Sequence, residues 1–267
     1  MRENLRNKIL VIGWLLAYLC TPALTLADAI SHDEPAVTPY RPTVSTPATL
    51  SAPGWVEIEA GWIGGGTGPD KRQSLPYSLK LAVSPDWGIR IDGEAAVGVP
   101  AANRQTQFGF GDTSFVLKRR FEINDRSAFG MEAGIGTSTG KEPFQSGSGR
   151  TDYTLNGIYS TDLGEAYHVD LNYAVTRLGA VSPTEGRDQS RWVAAVSRSL
   201  IGSWGLAGEL SGTAQAGAAP TRQLLLAASY TPSRIVCWDA GFARGLTAAS
   251  PRWSIFVGFT VLTAKLF

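Results

Sequence analysis

Between positions 167 and 175 the chain reads Tyr167-His-Val-Asp-Leu-Asn-Tyr-Ala-Val175. Tyr, Val, Leu, Tyr and Val occupy the odd positions, whereas His168, Asp170 and Asn172 occupy even ones. Because successive side chains of a β-strand point to opposite faces, this alternation predicts a strand with one apolar and one polar face. Such a strand separates an apolar environment from a polar one.

The same period of two recurs from Trp55 to the end of the chain, in segments of about ten residues. In one of them, Ile89 and Val97 are assigned to the apolar face, opposite Arg90 and Asp92. Counting such segments gives about twelve strands, and single-chain bacterial barrels have an even number. The sequence therefore predicts an all-β fold, a transmembrane antiparallel up-and-down β-barrel of about 12 strands.

The connections between these segments alternate in length, which separates a barrel from a β-sandwich. Long stretches rich in Gly, Pro and polar residues lie at 64–72, 99–107, 139–150, 178–188, 213–222 and 245–252, and short turns lie near 84–87, 122–127, 161–166, 200–203 and 232–233. Outer-membrane barrels have long external loops and short periplasmic turns, an order that a sandwich has no reason to keep. Both chain ends are then expected in the periplasm.

Aromatic residues lie near both ends of the predicted apolar faces. Toward the long loops these are Trp62, Phe110, Tyr153, Trp192 and Trp253, and toward the short turns they are Trp87, Phe121, Tyr167, Trp204 and Tyr230. Aromatic side chains concentrate where a membrane meets water. The two groups therefore predict two aromatic girdles and contact with outer-membrane lipid.

The last segment, from Trp253 to the terminal Phe267, keeps the alternation and ends in an aromatic residue. It is similar to the C-terminal signal by which outer-membrane barrels are recognised for insertion, with Phe259, Val261 and Phe267 as the signal residues. Lys265 departs from that pattern, which usually has an apolar residue there. The similarity implies the barrel-assembly machinery as a partner during insertion.

The start of the chain predicts export. Arg2, Arg6 and Lys8 precede an apolar run too short to span a bilayer, and small-residue patterns allow cleavage after Ala27 or Ala29. We therefore expect a signal peptide at 1–27 and residence in the bacterial outer membrane. Five prolines between positions 28 and 53 disfavour helix and sheet, so this stretch is expected to be a flexible periplasmic linker that precedes a barrel at 54–267.

Composition excludes several classes of function. Without residues 1–27 the chain has 21 basic and 22 acidic residues, so no basic field is available for nucleic acid. Cys237 is then the single cysteine of the sequence, and paired metal-ligand motifs of the CxxC type are absent. We expect neither a metal nor another cofactor.

The polar face of the predicted strands is expected to line the barrel lumen. Its charged residues are Glu57, Glu59, Lys80, Arg90, Asp92, Glu94, Asp112, Lys118, Arg120, Glu132, Asp152, His168, Asp170, Glu209 and Asp239. One interpretation is a narrow pore whose mixed charge sets its selectivity. The alternative is that cross-strand ion pairs fill a closed barrel, which then acts through its external loops.

A hydrolytic barrel is a third hypothesis. His168 and Asp170 share one face of a strand with Asn172, and these residue types occur in hydrolytic sites. Their period-two spacing makes a ladder along the strand, whereas a catalytic relay needs groups that converge on one point. Gly64-Gly65-Gly66 resembles a phosphate-binding loop in composition alone, since no helix follows. No catalytic residue is therefore expected.

One strand resembles a known family. Residues 110–121 read Phe110-Gly-Asp-Thr-Ser-Phe-Val-Leu-Lys-Arg-Arg-Phe121, and Val257-Gly-Phe-Thr260 lies in the last strand. Both are similar to strands of an outer-membrane transporter family named for the meta-pathway of phenol degradation. The resemblance implies a passive channel or transporter for small molecules, with hydrophobic or aromatic compounds as the substrate class.

Overall fold

A computed structural model describes residues 34–66, 71–101 and 105–267. The signal peptide predicted at 1–27 and residues 28–33 of the predicted linker lie outside the described residues. Within the described residues no helix is long and apolar enough to cross a membrane. The strands are β1 (Trp55–Gly65), β2 (Arg72–Ala82), β3 (Trp87–Pro100), β4 (Thr106–Gly109), β5 (Thr113–Asn124), β6 (Ser127–Thr137), β7 (Asp152–Leu163), β8 (Tyr167–Arg177), β9 (Asp188–Ser199), β10 (Trp204–Gln215), β11 (Thr221–Ser233), β12 (Val236–Gly245) and β13 (Trp253–Lys265).

All strand pairings are antiparallel, and the sheet closes on itself because β1 pairs with both β2 and β13. β4 pairs with one end of β3, and β5 pairs with the other part of the same strand. β4 and β5 therefore continue one another across residues 110–112 and count as one barrel strand. The result is a closed 12-strand antiparallel β-barrel, as the sequence predicts. Closure gives the backbone N–H and C=O groups of the first and last strands hydrogen-bond partners. Such partners are required in an apolar surrounding, because no water is there to replace them.

Burial follows the predicted alternation. Along β7, Asn156, Ile158 and Ser160 are buried inside the barrel, while Leu155 and Tyr159 are exposed on its outer surface. Nine of the ten predicted girdle residues are exposed as well. The tenth, Trp192, is partly covered because its indole packs over Gly212 of the neighbouring strand. The apolar belt and its aromatic borders therefore face outward.

One assignment to the apolar face was wrong. Val97 is fully buried inside the barrel, and its partner across the β2–β3 pair is the inward-facing Ser74. The next recorded pair joins Pro76 to Glu94, so β3 uses one residue more than β2 over this interval. A β-bulge of this kind reverses the in–out order of the residues that follow. Alternation counted from Ile89 therefore fails beyond Glu94.

β13 carries two of the three predicted insertion-signal residues. The ring centroid of Phe259 lies 5.6 Å from that of Trp238 on β12, and Val261 pairs with Ile58 on β1. Phe267 lies beyond the last strand residue and is 64% exposed. Their recognition by assembly machinery stays a prediction.

Residues 35–53 lie inside the barrel, and we call this segment the plug. It enters at the short-turn end, where the Val37 amide donates to the Arg234 carbonyl at 2.8 Å. It leaves at the same end, where the Gly54 amide donates to the Ala82 carbonyl at 2.8 Å. The prediction of a flexible periplasmic linker was therefore wrong for residues 35–53. Proline does suppress regular structure here, but the barrel wall supplies partners for eight backbone amides of the segment.

Candidate functional site in the barrel lumen

Carboxylates of β1 bind the incoming arm of the plug through its backbone. The Thr38 amide donates to Glu57 Oε2 at 2.8 Å. The Tyr40 amide donates to Glu59 Oε1 at 2.7 Å, and the Arg41 amide donates to Glu59 Oε2 at 3.3 Å. Both carboxylates are buried, and burial of an ionised group requires such donors.

Strands on the opposite wall bind the apex of the plug in the same way. Glu209 Oε2 on β10 accepts the Val44 amide at 2.6 Å and the Ser45 amide at 2.9 Å. Asn172 on β8 accepts the Thr46 amide at 2.7 Å and donates to the Thr46 carbonyl at 2.9 Å. The asparagine side chain thus binds both the amide and the carbonyl of one plug residue, as the backbone of a neighbouring β-strand would.

Tyr40 is the aromatic anchor of the plug. Its ring centroid lies 3.8 Å from Lys80 Nζ and 4.2 Å from Lys118 Nζ, so two ammonium groups contact its π face. Lys118 also donates to Tyr40 Oη at 2.9 Å, and Tyr40 Oη donates to the Thr49 carbonyl at 2.8 Å. Lys80 donates in addition to the Thr38 carbonyl at 2.6 Å. These lysines thus bind both the ring and the backbone of the plug.

Arg41 connects the plug to β12. Its Nε and Nη2 donate to the two carboxylate oxygens of Asp239, at 3.0 and 2.9 Å. Gly61 and Gly258 leave room for the guanidinium group, since a Cβ on either residue would lie within 3.0 Å of it. Two adjacent strands therefore carry glycine where the arginine passes.

Apolar contacts of the plug are small by comparison. Ala48 is buried with Ala128 and Ile158, and Val44 packs against the cluster that contains Leu225 and Phe256. The segment is therefore held mainly by hydrogen bonds, by the Arg41–Asp239 ion pair and by the contacts of the Tyr40 ring with Lys80 and Lys118. Each hydrogen bond contributes about 1 kcal/mol net, because water competes for the same groups.

Among the residues that the structure describes, the plug lies between two large cavities of the lumen. The outer cavity, at the long-loop end, has a volume of about 490 Å³, and Val44 and Thr46 form part of its lining. The inner cavity, at the short-turn end, has a volume of about 340 Å³, and Tyr40 and Arg41 contribute to its wall. The lining residues of the two cavities do not overlap. The plug is therefore the barrier between them.

The predicted lumen residues fall into four groups, the last of which is the pair His168 and Asp170. The first group contacts the plug directly and comprises Glu57, Glu59, Lys80, Lys118, Glu132, Glu209 and Asp239. In the second group Arg90 bridges Asp92 and Glu132 at 2.8 and 2.9 Å. Arg120 pairs with Glu122 at 3.0 Å. Their role in lining an open channel stays a prediction.

The third group anchors the long loops. Asp112 accepts the backbone amides of Gly140, Ser146 and Gly147 at 2.8–3.0 Å. Asp152 accepts from the Ser148 hydroxyl and the Gly179 amide, and Glu94 forms a bidentate pair with Arg72. Asp112 and Asp152 therefore hold the 138–151 loop over the outer end of the lumen, and Arg72 donates to the Phe144 carbonyl of the same loop at 3.3 Å.

His168 lies near a serine that the sequence did not single out. Its Nδ1 lies 2.6 Å from Asp162 and its Nε2 lies 3.1 Å from Asp170. The Ser160 hydroxyl donates to Asp170 at 2.5 Å and accepts the Ala48 amide at 2.7 Å. A catalytic relay needs the serine to donate to the histidine. Here carboxylates occupy both ring nitrogens, so the three groups do not form that relay.

Other contact residues were also missed by the sequence. Tyr40, Arg41 and Asn172 each make several of the contacts described above, and Asn156 donates to Glu132 at 3.0 Å. Alternation placed Asn172 on the polar face, which was the available signal for it. Nothing local to the proline-rich segment indicated a partner. Within the described residues no cluster of three or more metal-ligating side chains could hold a metal ion.

No family model and no curated protein matches this chain. Solved structures do. An outer-membrane channel from Pseudomonas putida F1 is 13% identical over 85% of this chain and 100% of its own, with a TM-score of 0.64. The NanC porin (7% identical, 78% and 100% covered, TM-score 0.55) and the KdgM porin (12%, 78% and 99%, 0.53) are similar too. At these identities the likeness shows a shared barrel fold among outer-membrane channels and porins. The meta-pathway family is not confirmed.

Proposed function

We propose that this protein is a passive outer-membrane channel for small molecules, closed at rest by the plug. The observation that carries the proposal is the plug itself, a segment that enters and leaves at one end and separates two cavities. The similarity to an outer-membrane channel and to porins supports the same function and the same membrane.

Opening requires the plug to leave the lumen, and its contacts suit a reversible movement. They are non-covalent, and water can replace the plug amides at Glu57, Glu59 and Glu209 once the segment moves out. Small net hydrogen-bond energies follow from this exchange. The open lumen would carry acidic and basic residues together, which favours solutes with charged or hydrogen-bonding groups. Aromatic compounds bearing such a group remain within the class implied by the family resemblance.

A reversible disulfide tests the proposal. A Cβ built on Gly130 would lie 3.4 Å from Cβ of Ala48, close to the roughly 3.5–4.5 Å found in disulfides. We therefore suggest Ala48→Cys with Gly130→Cys in a Cys237→Ser background. In planar bilayers the oxidised protein should stay closed, and dithiothreitol should restore openings.

The matched control is the single Ala48→Cys variant in the same background, whose openings should not respond to dithiothreitol. Equal conductance before and after reduction of a verified disulfide would show that plug movement does not open the barrel.

A closed structural barrel is the second candidate. The dense contacts of Tyr40 and Arg41 with the wall favour it, because they also suit a permanent filling of the lumen. The two candidates differ in conductance. If neither the reduced double-cysteine protein nor variants that weaken the plug conduct ions, the structural barrel is correct.

A further inference from the structure

The carboxylates that line the outer cavity are already bonded within the protein. Asp92 pairs with Arg90, and Glu132 accepts from Arg90 and from Asn156. Glu94 is held by both terminal nitrogens of Arg72. The remaining two, Asp112 and Asp152, accept loop amides as described above. None of the five is left for a ligand cation.

In contrast to these carboxylates, two guanidinium groups of the same lining have no bonded partner among the described residues. Arg191 lies on β9 two residues before the buried Val193, so both side chains point to the inner face of the strand. Arg191 lines the outer cavity. Arg150, in the loop that Asp112 and Asp152 hold, lines it from above. Neither side chain makes a hydrogen bond or an ion pair with another residue that the structure describes.

The rest of the lining is suited to the uncharged part of a small organic molecule. Val44 and Val116 present apolar surface, and Thr46, Ser114 and Thr154 present hydroxyl groups. A volume of about 490 Å³ is in the range of small-molecule sites and is far larger than a chloride ion requires. From the free guanidinium groups and this lining, we propose that the outer cavity is a binding site for a small organic carboxylate, with Arg191 as its main anchor.

The charge count agrees with a local rather than a long-range attraction. The lining itself holds five carboxylates and three cations, Arg90, Arg150 and Arg191, while Arg72 and Lys118 pair with Glu94 and Glu132 from outside the lining. Because the five carboxylates are already bonded within the protein and the lining has no excess of positive charge, the two unpaired guanidinium groups decide which ligand binds. Arginine donates two parallel hydrogen bonds to a carboxylate, so it discriminates that group from a neutral amide.

This inference deepens the proposed channel function by naming its solute class, but binding at the outer cavity does not require the plug to move. The test therefore uses the intact, plugged protein in detergent. We suggest isothermal titration with benzoate, compared with benzamide and benzylamine, at constant chloride concentration. Benzoate should bind at least about tenfold more tightly than either neutral or cationic analogue, as expected for a charge-assisted hydrogen bond.

Variants then locate the site. Arg191→Gln should weaken benzoate binding by about tenfold or more, and adding Arg150→Gln should weaken it further. Arg187→Gln removes the same charge from an exposed position of a neighbouring loop that does not line the cavity, and it should bind benzoate as the native protein does.

Equal affinity of the native protein for benzoate and benzamide would overturn the proposal, and so would tighter binding of benzylamine. Unchanged affinity in Arg191→Gln, or competition by chloride at equal concentration, would do the same. Benzoate binding by a protein that never conducts would leave this site standing and remove the channel. Conductance without benzoate binding would do the opposite.

Discussion

Arg41 of the plug binds Asp239 of β12 through two hydrogen bonds of 3.0 and 2.9 Å, although 198 positions separate the two residues in the sequence. The Asp239 side chain is only 2% exposed, so its charge depends on this partner. A contact of this kind ties the state of the plug to the interior of the wall. Substitution of either residue can therefore test how strongly the plug is attached to the barrel wall.

Arg41→Ala should release the plug. Removal of one partner from a buried ion pair costs roughly 3–5 kcal/mol, because the other charge is left without compensation. A loss of 3 kcal/mol would raise the population of displaced plug by roughly a hundredfold. Single-channel recordings should show more frequent openings, and residues 35–53 should lose protection against hydrogen exchange.

The control for Arg41→Ala is its combination with Asp239→Asn, which removes the unpaired charge. The double variant should open less often than Arg41→Ala alone. Openings at the native frequency in Arg41→Ala would mean that this pair does not hold the plug.

Tyr40 should show graded effects. Tyr40→Phe keeps the ring between Lys80 and Lys118 but loses the hydrogen bonds of the hydroxyl, a loss of about 1–3 kcal/mol. Tyr40→Ala also removes the ring, at roughly 3–5 kcal/mol. Open probability should therefore rise in the order native, Tyr40→Phe, Tyr40→Ala. The reverse order of the two variants would contradict an anchor that acts through its ring.

Ion selectivity should respond to charges of the lumen wall once the plug is weakened. In a Tyr40→Ala background, Arg90→Gln or Lys118→Gln should raise the permeability of potassium relative to chloride, because each removes a positive charge from the passage. Reversal potentials under a potassium chloride gradient measure this ratio. Arg187→Gln is the control outside the lumen. Unchanged reversal potentials for both lumen variants would argue against a passage along this wall.

His168 should not act in catalysis. Both of its ring nitrogens lie against carboxylates, and the Ser160 hydroxyl donates to Asp170 instead. We therefore expect no phospholipase or protease activity in the native protein. Assays on native protein and on His168→Ala would check this, and an activity that disappears with the substitution would place a hydrolytic site here.

Alternation of apolar and polar residues was sufficient to predict the strands, the two girdles and the inward face, because side-chain direction in a strand is a local property. Val97 is the exception, because alternation assigned it to the outer face and it is buried inside the barrel. The bulge between Glu94 and Val97 exists only in the pairing of β3 with β2, and nothing in the local pattern records it.

The sequence by itself determined a closed barrel with a polar interior, since each strand carries its own two faces. Only the tertiary structure decided what fills that interior. Residues 35–53 make few hydrogen bonds within the segment. Several of their amides instead bind Glu209 and Asn172, which are 126 to 165 positions away in the sequence. Such contacts depend on the closed wall that brings distant strands together, so no local pattern in the proline-rich segment could announce them.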